Sequence, residues 1–185
     1  MADPSGSGDG GGRRRDAARP AGPGAALAQL GSSHQRHDER LARLLEVAAQ
    51  LAGGHGGPAD LEELEDAVIW FARSVPRHFG DEDEVVFPAL AAARPALAAP
   101  LAALTAEHPA LLDAHAAVHD AVLGWAGREP PAAGLPGFVA RVHDLAGRYR
   151  DHARREDELF ATLGDLTGVL DEAALARGLA ARRGR

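Results

Sequence analysis

Two short stretches of the sequence each place a histidine four residues before a glutamate. His78 precedes Glu82 in the first stretch, and His152 precedes Glu156 in the second. Side chains four residues apart on an α-helix lie one turn apart on the same face. An imidazole nitrogen and a carboxylate oxygen placed in this way can bind the same metal ion. The repeated spacing therefore predicts that the two stretches form two halves of one metal site.

A site of this kind needs further ligands from the remaining helices. The spacing of apolar residues places His34 on the core side of the first predicted helix and His108 on the core side of the third. His37 lies on the same side as His34, so only one of these two should bind. The register of His34 with the leucines of that helix favours His34. The candidate ligands are His34, His78, Glu82, His108, His152 and Glu156.

The types of these residues restrict the metal. Four imidazoles and two carboxylates suit two metal ions, because a carboxylate can bridge with one oxygen on each ion. The chain has no cysteine, which excludes disulfides, thiolate nucleophiles, iron–sulfur ligation and cysteine-bound zinc. Ligation by nitrogen and oxygen alone suits iron or manganese. Six side chains do not fill two octahedral shells, so positions remain for water, oxygen, peroxide or nitric oxide.

Four long amphipathic stretches must position these ligands. The chain is rich in alanine and leucine and only 4% aromatic, which favours helices over strands. The predicted helices cover about residues 25–52, 60–87, 96–124 and 136–163. Joined by short connections, they predict an all-α fold, an up-down-up-down antiparallel four-helix bundle. Asp60 is the expected N-cap of the second helix, and Pro76 and Pro109 predict kinks in the second and third.

The six candidates can share one layer of such a bundle, given a rise of about 1.5 Å per residue. The other histidines are expected outside that layer. His55 should lie in a loop at the opposite end, and His115, His119 and His143 are displaced along their helices. Tyr149, one turn before His152, is expected to be a core aromatic, with a role beside the metal as the alternative. Phe87 and Phe160 should line the pocket.

The two ends of the chain differ from its centre. Residues 1–24 are mostly Gly, Ser, Asp, Pro and Arg, and such a segment is expected to be a disordered tail. The bundle should occupy residues 25–165, and residues 166–185 should form a short helix at 169–179 with an arginine-rich end. The net charge of −7 argues against a nucleic-acid partner, and no apolar run approaches the roughly 20 residues that span a bilayer. We therefore expect a soluble cytoplasmic protein without a membrane partner.

The order of these residues resembles the hemerythrin-like (HHE, cation-binding) domain family over about residues 30–165. The resemblance is carried by His34, by His78 and His152 with their glutamates, and by His108 after Glu107. It implies a hemerythrin-like four-helix bundle with two iron ions in a carboxylate-bridged non-haem di-iron centre. It further implies that this centre binds oxygen, nitric oxide or peroxide.

Within the family, the spacings look most like those of the di-iron proteins that repair iron–sulfur clusters. Those proteins usually carry an N-terminal domain with a cysteine pair, and this chain has no cysteine. Oxygen-carrying hemerythrins have a second histidine four residues after the one on the third helix, where this chain has Leu112. The sequence therefore departs from both of these better-defined groups.

The expected function is the binding or reduction of a small oxidant at the di-iron centre, in a response to oxidative or nitrosative stress or in sensing. Alternatives are an iron-donating protein that repairs or protects clusters, a regulatory sensor that does not turn over, and a bundle without metal. Repair or sensing would require a protein partner. Iron content separates the last alternative from the others.

Overall fold

The computed structural model describes residues 25–125, 128, 130–163 and 170–184, and within them every regular element is helical. The predicted disordered tail, residues 1–24, lies outside this range. The α-helices are α1 (Ala25–Ala52), α2 (Pro58–Asp81), α3 (Phe87–Ala93), α4 (Ala98–Thr105), α5 (His108–Trp125), α6 (Leu135–Ala161) and α7 (Glu172–Arg183). A π-helix, Glu82–Val86, joins α2 to α3. Two 3₁₀ turns, Pro95–Leu97 and Ala132–Gly134, precede α4 and α6.

Four of the helices pack around a common centre. Helix α1 contacts α2 and α6, and α5 contacts the same two helices, which closes the ring. This arrangement confirms the predicted four-helix bundle. None of the described helices is both long enough and apolar enough to cross a lipid bilayer.

The buried apolar side chains form two clusters. The larger, here the main core, is made by all four bundle helices and includes Leu44, Leu64, Phe71, Val118 and Phe138. The smaller, here the end core, joins α1 to the segments after α2 and includes Leu30, Val86, Leu90, Leu104 and Leu179. Each fully buried side chain of this kind contributes about 1.5–3 kcal/mol to folding.

The second helix begins earlier than expected. Gly57 is the N-cap and Pro58 is the first helical residue, so the prediction of Asp60 as the cap is wrong. Proline suits this position because the first N–H groups of a helix have no intrahelical partner. Asp60 lies at the third helical position, and its carboxylate accepts a hydrogen bond of 2.8 Å from the Gly57 N–H.

The rest of the second helix continues through Pro76, as predicted, and then changes its winding. Instead of one helix to Phe87, the chain forms the π-helix at Glu82–Val86, in which the Phe87 N–H donates to the carbonyl of Glu82. A π-helix is wider than an α-helix and is rarely longer than one turn. Glu82, which begins this turn, is one of the candidate ligands.

The third predicted helix is two helices. Helix α4 ends at Thr105 and α5 begins at His108. Pro109 explains the break, because it has no N–H and its ring would clash with the carbonyl four residues earlier. A break rather than a kink thus places His108 at the start of α5.

The C-terminal helix is later and longer than predicted, since α7 covers Glu172–Arg183 rather than residues 169–179. Its start is fixed by Asp171, whose carboxylate accepts a hydrogen bond of 2.8 Å from the Ala174 N–H. Helix α7 packs on α1, α2 and the π-helix. It thereby covers the end of the bundle that contains the end core.

Candidate metal centre

The four bundle helices, together with the π-helix that follows α2, bring all six predicted ligands to one place. Each of the six is buried, and the two glutamates are 0% exposed. Their nitrogen and oxygen atoms form two groups that share Glu82 and that are compact enough to hold metal ions. The first group is His34, His78, Glu82 and Glu156, and the second is Glu82, His108 and His152.

The two carboxylates lie between the imidazoles. Glu82 Oε1 is 2.9 Å from His78 Nε2, and Glu82 Oε2 is 3.4 Å from His108 Nε2. Glu156 Oε2 is 3.3 Å from His34 Nε2 and 3.8 Å from His152 Nε2. Each carboxylate therefore faces two histidines from different helices, as a carboxylate that bridged two ions would have to.

The inner atoms of this cluster have no hydrogen-bond partner. All four Nε2 atoms and all four carboxylate oxygens of the six residues are buried and unpaired within the described part of the chain. Burying polar groups without partners costs about 1–3 kcal/mol each, and more for charged groups. Eight such atoms facing one another fit a metal-binding donor set, because a cation satisfies them all at once.

The outer nitrogens of three of these histidines face carboxylates. His34 Nδ1 lies 3.0 Å from a carboxylate oxygen of Asp157. The Nδ1 atoms of His108 and His152 lie at the same distance from carboxylate oxygens of Asp83 and Glu107, respectively. An imidazole that donates its Nδ1–H to a carboxylate presents the Nε2 lone pair inward, as a metal ligand must. The three acidic residues therefore set the tautomer of the rings.

Two of these outer carboxylates are themselves held in place. The Thr105 hydroxyl donates to Asp83 over 2.7 Å. Arg155 donates through both of its terminal nitrogens to Glu107, at 2.6 Å for one of them. The helical pattern of the sequence does not predict a role for these carboxylates. The only signal available was that each lies next in sequence to a candidate ligand.

Burial and mutual repulsion shift the pKa values of the cluster. Burial lowers the pKa of His78 well below its ordinary value, and the neighbouring histidines lower it further. Burial raises the pKa of Glu82 well above its ordinary value, and the charges of Glu156, Asp83 and Asp81 add to the effect. Burial also lowers the pKa of His34, but the carboxylates of Glu156 and Asp157 outweigh it and leave that pKa raised. A cation in the centre would relieve the repulsion between the carboxylates and would favour the ionised form of Glu82.

His37, the alternative to His34 on the first helix, has partners at both ring nitrogens. Its Nε2 is 2.8 Å from the Ser74 hydroxyl, and its Nδ1 faces the Tyr149 hydroxyl. Burial, followed by the charges of His34 and Arg36, lowers the pKa of His37 to about 3. His37 and Tyr149 thus form a neutral buried pair beside the cluster, and burial raises the pKa of Tyr149 well above its ordinary value.

Two phenylalanine rings pack beside His108 of the cluster. Phe79, from the main core, stacks on His108 with ring centroids 4.0 Å apart and an interplanar angle of 3°. Phe87, from the end core, lies 6.3 Å from the same imidazole and 6.4 Å from Phe160. Phe79 was not expected to have this role, although it directly follows His78 in the sequence.

The remaining histidines lie outside the cluster. His55 and His143 are exposed, and His119 is partly exposed. His115 is buried against Phe71 with ring centroids 5.9 Å apart.

A surface groove between α1 and α6, of about 610 Å³, is lined by His34 and Asp157 together with the small residues Gly31 and Ala153.

The family comparison agrees with the site and the fold. The family described as the hemerythrin HHE cation binding domain matches residues 25–163. No curated protein and no solved structure matches the chain.

Proposed function

The chain belongs to the hemerythrin HHE cation-binding domain family, and from this premise we propose that it is a non-haem di-iron protein that binds or reduces a small oxidant. The oxidant would be oxygen, nitric oxide or peroxide. The observation that carries the proposal is the cluster of eight unpaired buried nitrogen and oxygen atoms on six residues.

The arrangement of these atoms supports two ions rather than one. His34 and His78 lie on one side of the two carboxylates, and His108 and His152 lie on the other. Each pair of imidazoles would hold one ion as terminal ligands. Glu82 and Glu156 would bridge, because each carboxylate approaches a histidine of both pairs.

The donor set supports iron and a small ligand. Imidazole with carboxylate and no sulfur suits iron or manganese, and six side chains leave coordination positions open on two ions. When bound, iron would supply the electrons or the coordination bond for the oxidant. The side chains would orient the ions, while Phe79 and Phe87 would exclude water from the part of the cluster at His108.

Anaerobic reconstitution with ferrous iron tests the proposal. We expect about two irons per chain and an optical spectrum that changes on addition of oxygen, azide or nitric oxide. The double variant Glu82→Gln, Glu156→Gln should lose the iron, whereas His143→Gln, which alters an exposed histidine, should keep it. Wild-type protein that retains well under two irons per chain would rule out the di-iron centre.

The same assay tests which histidine of α1 is a ligand. His34→Ala should lower the iron content, because the ring nitrogen of His34 faces Glu156. His37→Ala should retain the iron, because both nitrogens of His37 are bonded to other side chains. Loss of iron in His37→Ala alone would show that the assignment of His34 is wrong.

Turnover of peroxide or nitric oxide by iron that stays bound would support an enzymatic or binding role. Iron that passes readily to a chelator, without turnover, would instead favour the donation of iron to another protein.

A further inference from the structure

Helix α7 lies after the last residue of the family match and yet contacts the segment that carries Glu82. We infer that Arg182 and Arg183 of this helix are positioning residues that hold the π-helix, and with it the Glu82 carboxylate, in place. The inference deepens the proposed di-iron function, because Glu82 is the residue that both metal-binding groups share.

The first support is the charge pairing at Asp81, the residue directly before Glu82. Asp81 is 3% exposed. Arg183 donates to its Oδ2 from Nε at 2.9 Å and from Nη2 at 2.5 Å. Arg182 donates to its Oδ1 at 3.0 Å. A buried carboxylate is costly without such partners, so removal of the arginines would leave an uncompensated charge at the start of the π-helix.

The second support is the contact of Arg182 with the backbone before the π-helix. Its guanidinium also donates to the carbonyl of Arg77 at 3.0 Å and to the carboxylate of Glu84 at 3.2 Å. A Cβ on Gly80 would overlap this guanidinium, so only glycine lets the side chain lie across the helix here. Arg182 thus joins the turn that carries His78 to the turn that carries Glu82.

The third support is apolar contact between α7 and the later residues of the π-helix. A Cβ on Gly178 of α7 would lie 2.9 Å from Cγ1 of Val85, so the two helices meet closely at this point. Leu175 and Leu179 of α7 are buried in the end core together with Val86. Helix α7 therefore holds the π-helix by charge at Asp81 and Glu84 and by packing at Val85 and Val86.

The π-helix needs this support more than a regular helix would. Its wider hydrogen bonding is less favourable than that of an α-helix, so its position depends on tertiary contacts. The Glu82 carboxylate has no hydrogen bond of its own in the described structure. Its position is consequently set by its backbone, which α7 contacts at residues before and after Glu82.

Hydrogen–deuterium exchange of the full-length, metal-free chain tests the inference. The double variant Arg182→Gln, Arg183→Gln should raise the exchange of residues 78–87 at least tenfold and that of residues 108–122 less than twofold. Arg177→Gln, which alters an exposed arginine of the same helix, should change neither. Unchanged exchange at 78–87 overturns the inference, and so does an equal rise over both segments, because the arginines would then stabilise the bundle as a whole.

A double-mutant comparison tests whether the arginines act through Asp81. Asp81→Asn should raise the same exchange, and adding it to the arginine pair should give little further increase. Fully additive effects would show that the arginines act elsewhere.

Cobalt(II) titration adds a spectroscopic readout. The arginine double variant should bind cobalt at least tenfold more weakly than wild type, with altered ligand-field bands. Wild-type affinity and bands in that variant would contradict the positioning role. If wild-type protein binds neither cobalt nor iron, the di-iron function fails, while the exchange of the metal-free chain still decides whether the arginines hold the π-helix.

Discussion

At the scale of single residues, the centre depends on acidic side chains that do not face the metal-binding atoms. Asp157, Asp83 and Glu107 each lie against the outer nitrogen of a different histidine. A charged acceptor at that position makes the ring a stronger ligand and fixes its orientation. Substitutions of these half-buried or exposed acidic residues should therefore change the metal affinity of the centre.

Asp157→Asn tests this dependence. We expect metal affinity to fall by about 10–100-fold, because the amide is a weaker and less directional acceptor for His34 Nδ1–H. Competition with a chelator of known affinity measures the change. Asp151→Asn, at an exposed position on the same helix, is the matched control and should bind like wild type. Equal affinities in the two variants would show that the contact at 3.0 Å does not tune the ligand.

His37 gives the metal-free protein a pH dependence with a definite sign. Its folded-state pKa of about 3 lies below the ordinary 6.5, so the unfolded chain takes up the proton first as pH falls. The stability from this residue is therefore present above about pH 6.5 and is lost progressively as pH falls towards 3.

Urea unfolding of metal-free wild type and His37→Gln at pH 7 and pH 5 measures this contribution. Between these values, wild type should lose about 1–2 kcal/mol more than the variant, which has no imidazole at this position. A wild-type loss equal to that of the variant would show that His37 is protonated in the folded protein.

At the scale of elements, the periodicity of apolar residues predicted which helices pack together, but it did not predict the contacts between individual side chains of different helices. The apolar stripes and the four-residue spacing were sufficient to place six polar residues in one buried layer. The outer carboxylates could not be predicted in this way. In an α-helix, consecutive side chains point about 100° apart. Whether Asp83 reaches His108 therefore depends on how two helices pack, which a single-helix pattern does not contain.

The π-helix and the break before α5 were missed for related reasons. The residues of the π-helix are ordinary helix residues, and the wider turn is supported by tertiary contacts from α7. The start of α5 depends on how Pro109 is accommodated, and both a kink and a break are compatible with proline. Both features lie directly beside candidate ligands, where fitting the site takes precedence over regular geometry.

Phe79 connects the elements around the centre, because it follows His78 on α2 and stacks on His108 of α5. Phe79→Ala and Phe138→Ala each remove a buried ring and should each cost about 3–5 kcal/mol of folding free energy. Only Phe79→Ala should also weaken metal binding, since Phe138 contacts Trp125 instead. Denaturant unfolding and metal titration of both variants separate these effects. Equal metal affinities would show that the stacking does not position His108.

At the scale of the whole molecule, the metal-free bundle buries a cluster of polar atoms without hydrogen-bond partners, and this cluster lowers the free energy of unfolding. Metal ions that bind only the folded state stabilise it by mass action. At a free metal concentration 1,000 times Kd the gain is about 4 kcal/mol, which corresponds to a rise in Tm of about 10 °C for a chain of this size.

Thermal unfolding with and without manganese or cobalt checks this expectation. Wild type and His143→Gln should show the rise, and the double variant Glu82→Gln, Glu156→Gln should not. A Tm that is independent of metal in wild type would contradict a metal centre within the bundle.

The distribution of the six candidate ligands over the four bundle helices and the π-helix would also constrain the order of events during assembly. Successive histidines of the cluster lie 44, 30 and 44 residues apart in the chain, from His34 to His78, to His108 and to His152. The ions would therefore act as cross-links that close long loops, and the entropy of closing those loops must be lost before any ion has its full set of ligands. No single helix, and no pair of neighbouring helices, contains a complete site. Metal binding should consequently be a late step, which occurs only after all four helices have packed together.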